Sequence, residues 1–260
     1  MRLPLEGRRA VVTGGATGIG AAISERLRAD GASVLVAGLD DAVVKDACER
    51  IRAVNGPGAV VGFVGDLAVE GVAESMLVHA DTELGGLDIL VNNAGGGVIA
   101  PTFEHTVATV RATIDNNLMT TIWTTLAALP RMVAAGGGRI VNIGAESVRN
   151  GLTDHAIYNA AKGGVHGLAV GLAREFAAYG ITVNTVAPSY TRTDELDTRR
   201  REGLTPARLE VVIEDAVELI PIGRAGEVEE VAAAVAYLVR EDSRFVTGQT
   251  LSVNGGSSMS

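Results

Sequence analysis

The stretch Thr13-Gly14-Gly15-Ala16-Thr17-Gly18-Ile19-Gly20 decides the fold, because it joins a short apolar run, Arg9–Thr13, to an amphipathic segment carrying Ile23 and Leu27. Glycines at 14, 18 and 20 permit a tight turn and let the backbone approach a pyrophosphate. A helix starting there aims its free N–H groups and positive dipole end at that anion. A glycine-rich string alone also fits a plain turn; its place at the first strand–helix junction favours the phosphate reading. The spacing GxxxGxG differs from the commoner GxGxxG.

Outward from that junction, short β-branched apolar runs alternate with segments of helical period. The strand-like runs are Arg9–Thr13, Ser33–Ala37, Ala59–Val64, Ile89–Asn92, Arg139–Gly144, Thr182–Ala187 and Thr250–Val253. They are too apolar to face water on one side, which is the pattern of parallel strands covered on both faces. Helix-like segments fall near 18–30, 41–54, 69–84, 104–135, 156–179 and 227–240. This alternation predicts an α/β fold: a Rossmann-like, doubly wound parallel sheet with helices on both faces. No linker, low-complexity tract or repeat divides the chain, so 1–260 reads as a single dinucleotide-binding catalytic domain. Residues 189–220 are charged and lack a clean period, which reads as an irregular substrate-binding loop or lid.

Composition narrows the function classes. The chain has 260 residues, enough to bury a core without disulfides or metal staples. Aromatics are only 3% while glycine counts 33, so the core must be Ala, Val, Leu and Ile packed around small residues. A net charge of −9 argues against a nucleic-acid partner, which needs a basic face. The single cysteine, Cys48, cannot form an intrachain disulfide and fits a reducing compartment. The first residues lack the apolar run of a signal peptide, and no apolar stretch reaches membrane-span length. A cytoplasmic protein without a membrane partner is expected.

Which dinucleotide binds depends on the end of the second strand, where an acidic side chain would bond the ribose 2′-OH. That position holds Gly38, then Leu39, Asp40 and Asp41. Asp40 either serves the ribose from two residues late or caps the helix that starts near Ala42. No Arg or Lys stands there or at Thr17 to meet a 2′-phosphate, so NAD is expected over NADP.

Tyr158 and Lys162 fall at i and i+4 in Tyr-Asn-Ala-Ala-Lys and share one helical face. A cation beside a phenol favours the phenolate and is expected to lower the tyrosine toward the working pH, where acid–base catalysis is efficient. The pair follows the run Arg139–Gly144, at the sheet edge where open α/β folds bind ligands.

With these strings in place, the chain resembles the short-chain dehydrogenase/reductase family over essentially its full length. The matching motifs are Thr13-Gly14…Gly18-Ile19-Gly20, Asn92-Asn93-Ala94-Gly95, Tyr158…Lys162, Asn184…Pro188 and Gly248-Gln249…Val253-Asn254-Gly255-Gly256. The resemblance implies a nicotinamide-dependent oxidoreductase acting on a secondary alcohol or ketone, a small-molecule substrate. It implies Asp66 and Leu67 at the adenine and Asn93-Ala94-Gly95 beside its ribose. It also implies Pro188, Thr191 and Thr193 over the nicotinamide, and Lys162 on the nicotinamide ribose. Asn117 matches the asparagine that holds a water in the proton relay, with Asn116 as rival assignment. In the implied oxidation, Tyr158 takes the alcohol proton, which leaves through the ribose hydroxyl, Lys162 and that water.

One departure stands out. The family's catalytic serine usually precedes the tyrosine by thirteen residues, and here that place is Ala145 in Gly144-Ala145-Glu146-Ser147. Three explanations compete: Ser147 swings in, Tyr158 uses another polar partner or the substrate's own hydroxyl, or activity is lost. His155, three residues before the tyrosine, is either pocket-facing or a surface helix-start residue. Glu146 is either a solvent-exposed charge or a group in the pocket, and Arg149 and Arg192 are either carboxylate partners or surface charges.

The stretch Gly144–Arg149 is similar to dihydrodiol dehydrogenases of aromatic-acid breakdown, whose second substrate hydroxyl would offset the missing serine. A 3-oxoacyl-carrier-protein reductase is the alternative, and a non-catalytic dinucleotide sensor the further one. Pro221-Ile222-Gly223-Arg224 and Glu229-Glu230-Val231 lie where the family builds tetramer interfaces, implying a homotetramer unless those apolar faces complete the monomer core.

Overall fold

A computed structural model describes residues 2–259. Its first half runs β1 (Arg9–Val12), α1 (Gly18–Ala29), β2 (Ser33–Gly38), α2 (Asp41–Ala53), β3 (Val60–Val64), α3 (Val72–Leu84) and β4 (Ile89–Asn92). Then come α4 (Val107–Ile114), a π-helical turn (Asp115–Met119), α5 (Thr120–Ala135), β5 (Gly138–Ile143), α6 (Ser147–Asn150), α7 (Ala156–Phe176) and β6 (Ile181–Pro188). The chain closes with α8 (Asp194–Arg201), α9 (Ala207–Glu218), α10 (Val228–Leu238) and β7 (Thr250–Val253).

All seven apolar runs are strands of one parallel sheet ordered β3-β2-β1-β4-β5-β6-β7. Side chains alternate across it with period two. Ala10, Val12, Val34 and Val36 bury against Ile23 and Leu27 of α1 and Val231 and Val235 of α10. Val11, Leu35, Leu90 and Ile140 bury against Met76 and Leu77 of α3, Leu129 and Met132 of α5 and Leu172 of α7. Each fully buried Leu, Ile or Met contributes about 1.5–3 kcal/mol of transfer free energy, so the two apolar layers, not any polar staple, hold the sheet. The apolar face of α10, with Val231, Val235 and Leu238, packs into this core, while Ile222 in the preceding stretch is exposed.

One sequence expectation needs correction. The segment 189–220 is not irregular: it folds into α8 and α9. Helix α8 has no apolar stripe, and its stability comes from its ends. Thr193 caps it by accepting from the Leu196 N–H, Asp194, Glu195 and Asp197 occupy the first turn, and Arg199, Arg200 and Arg201 the last. That distribution complements the helix dipole. Helix α9 buries Val212, Ile213 and Ala216, which with Leu209 follow the i, i+3, i+4, i+7 spacing. Asp40 caps α2, accepting from the Val43 N–H at 3.0 Å, so the capping reading of that residue is met. Among the described residues, no helix is long and apolar enough to cross a membrane.

Candidate active site

The strand order reverses between β1 and β4, and the crevice beyond their carboxyl ends is where open α/β sheets take ligands. Thr13 fixes its geometry: its hydroxyl accepts from the N–H groups of Asn93 (3.0 Å) and Ala94 (2.9 Å). The Asn93 amide in turn donates to the carbonyls of Thr13 (3.1 Å) and Gly14 (3.0 Å). Gly20 is obligatory in this arrangement, since a Cβ there would overlap the Gly14 carbonyl and lie 2.5 Å from Asn93 Nδ2. Gly18 adopts φ +51°, and Thr193 at the start of α8 packs over it.

Two adjoining cavities follow the crevice. One, of about 480 Å³, is walled by Gly38, Leu39, Asp40, Asp66, Leu67 and Asn116. The other, of about 550 Å³, runs from Gly14, Thr17, Gly18 and Ile19 past Asn93, Ala94 and Gly95 to Asn117, Tyr158 and Lys162. Ser147, His155, Pro188, Thr191 and Thr193 complete its walls. Gly14, Thr17, Ala94, Gly95 and Glu195 border both, so the cavities form one continuous groove with a glycine cradle where they join. The residue set fits a nicotinamide dinucleotide. Every expected site residue borders this groove except Gly20, which acts by having no side chain.

At its inner end Lys162 is 5% exposed and donates to the Ile143 carbonyl at 2.9 Å, with its ammonium 5.8 Å from the centre of the Tyr158 ring. Burial pushes the tyrosine up to about 12 and the lysine down to about 8. The expected lowering of Tyr158 by its neighbour is thus not found in the protein alone: desolvation outweighs it, and the ammonium is directed at a carbonyl. The lysine's folded value lies below its ordinary one near 10.4. From about pH 8 to 10 the unfolded chain therefore binds a proton the folded chain does not, and stability rises with pH. Raising pH from about 7.5 to about 9.5 should shift the urea midpoint of the parent upward relative to Lys162→Met; a pH-independent difference would refute this.

Asn117 lies in the π-helical turn and is fully buried. It donates to the carbonyls of Gly96 and Thr113, both at 2.8 Å, and accepts from the Gly96 N–H at 3.3 Å. A Cβ on Gly95 would come 2.7 Å from Asn117 Oδ1 and 3.4 Å from Lys162 Nζ, so the bare glycine lets both side chains meet there. Asn116, the rival, is exposed and faces the other cavity. A π-turn is the kind of helix defect that recurs at functional sites.

These features coincide with known proteins. A family model described as enoyl-(acyl carrier protein) reductase matches residues 14–258. A 2,3-dihydroxy-2,3-dihydro-p-cumate dehydrogenase of Pseudomonas putida is 51% identical over 257 residues, covering 99% of this chain and 96% of that protein. The chain belongs to the short-chain dehydrogenase/reductase family. A 3-oxoacyl-acyl-carrier-protein reductase of Vibrio cholerae is 35% identical, covering 97% of this chain and 98% of its own. A solved short-chain dehydrogenase/reductase from Mycobacterium ulcerans superposes with a TM-score of 0.89 at 31% identity, covering 98% of this chain and 91% of that one. The protein is accordingly a nicotinamide-dependent oxidoreductase.

As a short-chain dehydrogenase/reductase it has an unusual turn after β5. Ala145 puts a methyl group where the family's serine stands, and its N–H lies 3.4 Å from Nε2 of His166, a ring that burial holds neutral. Gly144 is needed beside it, because a Cβ there would overlap that imidazole. Ser147 does border the cavity, but its hydroxyl donates to Asn159 Oδ1 at 2.6 Å, so its one proton is engaged. Glu146 is fully buried, contrary to the solvent-exposed reading. One of its oxygens accepts from Ser258, the other has no partner, and its N–H donates to the Pro188 carbonyl at 2.9 Å.

Neither candidate arginine borders the cavity: Arg149 donates to Ser252 at 2.8 Å, and Arg192 pairs with Asp197 at 3.0 Å. Sequence reading missed Leu152, Leu209, Val212, Ile213 and Ala216, apolar residues that line the same cavity as Tyr158. The spacing of the last four was a usable signal. Glu146 gave none, since nothing local distinguishes a buried glutamate from an exposed one.

Proposed function

We propose that the protein oxidises a cyclic cis-dihydrodiol, of the 2,3-dihydroxy-2,3-dihydro-p-cumate type, with NAD as acceptor. The observation that carries this is 51% identity across nearly the whole chain to a dehydrogenase of that description. The cavity supports it: apolar side chains of α9 that suit a ring line it together with the polar group Tyr158, His155 and Lys162. Bound nicotinamide supplies the hydride acceptor. Tyr158 holds the reacting hydroxyl and takes its proton. Lys162 anchors the inner end of the groove through Ile143 and, with Asn117 beside it under Gly95, offers the proton a way out. NAD is favoured over NADP because Asp40, Asp66 and Glu195 border the outer cavity and no Lys or Arg does, which disfavours a 2′-phosphate.

Absorbance at the reduced-cofactor band, recorded with 2,3-dihydroxy-2,3-dihydro-p-cumate and NAD, tests the proposal against acetoacetyl thioesters with NADPH. Turnover of the thioester alone would replace it with the reductase reading. In the same assay Ser147→Ala should lower kcat/KM less than about ten-fold, because the serine proton already serves Asn159; a drop above about hundred-fold, the size of a lost oxyanion donor, would make Ser147 the substitute serine.

A cytoplasmic homotetramer is part of the proposal. Large apolar side chains left outside the core, Leu126 on α5 and Val170 on α7, both more than half exposed, support burial between copies. Light scattering of the cytosolic protein should give the mass of four chains, and a single-chain mass would refute it.

A further inference from the structure

The second hydroxyl of a cis-diol is a donor that needs an acceptor, and the loss of the family serine leaves that requirement to another side chain. His155 borders the cavity and meets the Tyr158 ring edge-on, with centroids 5.8 Å apart and planes at 81°. Its Nδ1 lies 2.7 Å from the Thr153 carbonyl. A carbonyl oxygen only accepts, so Nδ1 carries the proton, and in the neutral ring Nε2 presents a lone pair. Among the described residues nothing donates to that nitrogen. Adjacent hydroxyls on one face of a ring sit about a hydrogen-bond length, ~2.8 Å, apart, so a diol held by Tyr158 through one oxygen carries the other toward the neighbouring side chain.

We infer that His155 is the specificity residue that accepts the second hydroxyl of the diol at Nε2, aligning the first on Tyr158. This rests on the dihydrodiol reading above. The Thr153 carbonyl locks the tautomer, so the ring offers an acceptor where the family serine would have offered a donor. Glu146, Asn150 and Tyr190 also hold unpartnered oxygens in these walls, but all three oxygens are sealed from the cavity surface, and the Glu146 carboxylate is already tied to Ser258. His155 is half-buried and open to the cavity, and reaches a substrate without rearrangement.

The test compares a neutral cis-dihydrodiol with the matching cyclic mono-alcohol, with NAD, in the parent and in His155→Phe, His155→Gln and Glu146→Gln. Phenylalanine keeps the ring against Tyr158 but removes the acceptor; glutamine restores an acceptor through its amide oxygen. The ratio of kcat/KM for diol over mono-alcohol should fall at least ten-fold in His155→Phe and recover at least in part in His155→Gln. Equal losses on both substrates would overturn the inference, as would a ratio that falls only in Glu146→Gln. A ratio unchanged with the neutral diol, with loss confined to a carboxylate-bearing one, would also overturn it by making His155 a carboxylate partner. If the parent oxidises no diol at all, the proposed function fails rather than this assignment. Tryptophan-to-cofactor energy transfer on NADH binding confirms that each variant is folded.

Discussion

Tyr158→Phe is expected to lower kcat/KM for alcohol oxidation by about three orders of magnitude, within the range of general acid–base catalysis. Of the other groups at the inner end of the groove, His155 is assigned to the second hydroxyl, and the rest offer no exposed base. Position 145 offers a methyl, the Ser147 proton is on Asn159, and the Lys162 ammonium donates to Ile143. The same variant should keep its fold. Among the described residues none hydrogen-bonds the Tyr158 hydroxyl, so its removal strands no buried partner. Initial rates of NADH formation together with a thermal melt read both. Intact turnover would show that a group other than Tyr158 takes the proton, whereas NADH binding without turnover of any alcohol by the parent would favour the sensor alternative.

Gly20→Ala should have the second-largest effect. Its Cβ would overlap the Gly14 carbonyl and press on Asn93 Nδ2, two groups that Thr13 and Asn93 hold in place. Because both neighbours are fixed, the loop must move, at about 1–3 kcal/mol or more of overpacking strain. The moved loop no longer cradles a pyrophosphate. NADH affinity should fall more than about ten-fold, which is about 1.4 kcal/mol, with a lower melting temperature. Gly171→Ala is the control: on α7 nothing lies within 4 Å of a Cβ there, so alanine should leave binding alone and add stability by better helix propensity. Equal NADH affinity in Gly20→Ala and the parent would show that the glycine loop is not the cofactor cradle.

Much of the site was legible because its residues are close in sequence or at fixed helical spacing. Tyr158 and Lys162 face one way because four residues make one helical turn, and the glycine loop follows the first strand directly. Asp40 was legible only as two choices, since the same carboxylate suits a helix N-terminus or a ribose; its bond to the Val43 N–H shows the first in use.

The seven strands follow from the sequence alone, for parallel strands covered by helices read as apolar runs; the five central ones are largely buried and only the edge strands β3 and β7 are half-buried. So does the reaction class, carried by motifs whose spacing survives any packing detail. Tertiary structure decided the rest. Helix α8 has no apolar period and stands on a cap and end charges, and α9 has its stripe only against the cavity it walls. Burial reversed the expected direction for Tyr158, because desolvation depends on everything packed around the phenol and not on the lysine one turn away. Glu146 was sealed under Ser258, 112 residues along the chain, and His166, one turn past Lys162 on α7, came against Ala145 of the turn after β5. Such contacts depend on how separate elements stack, and no local pattern records them.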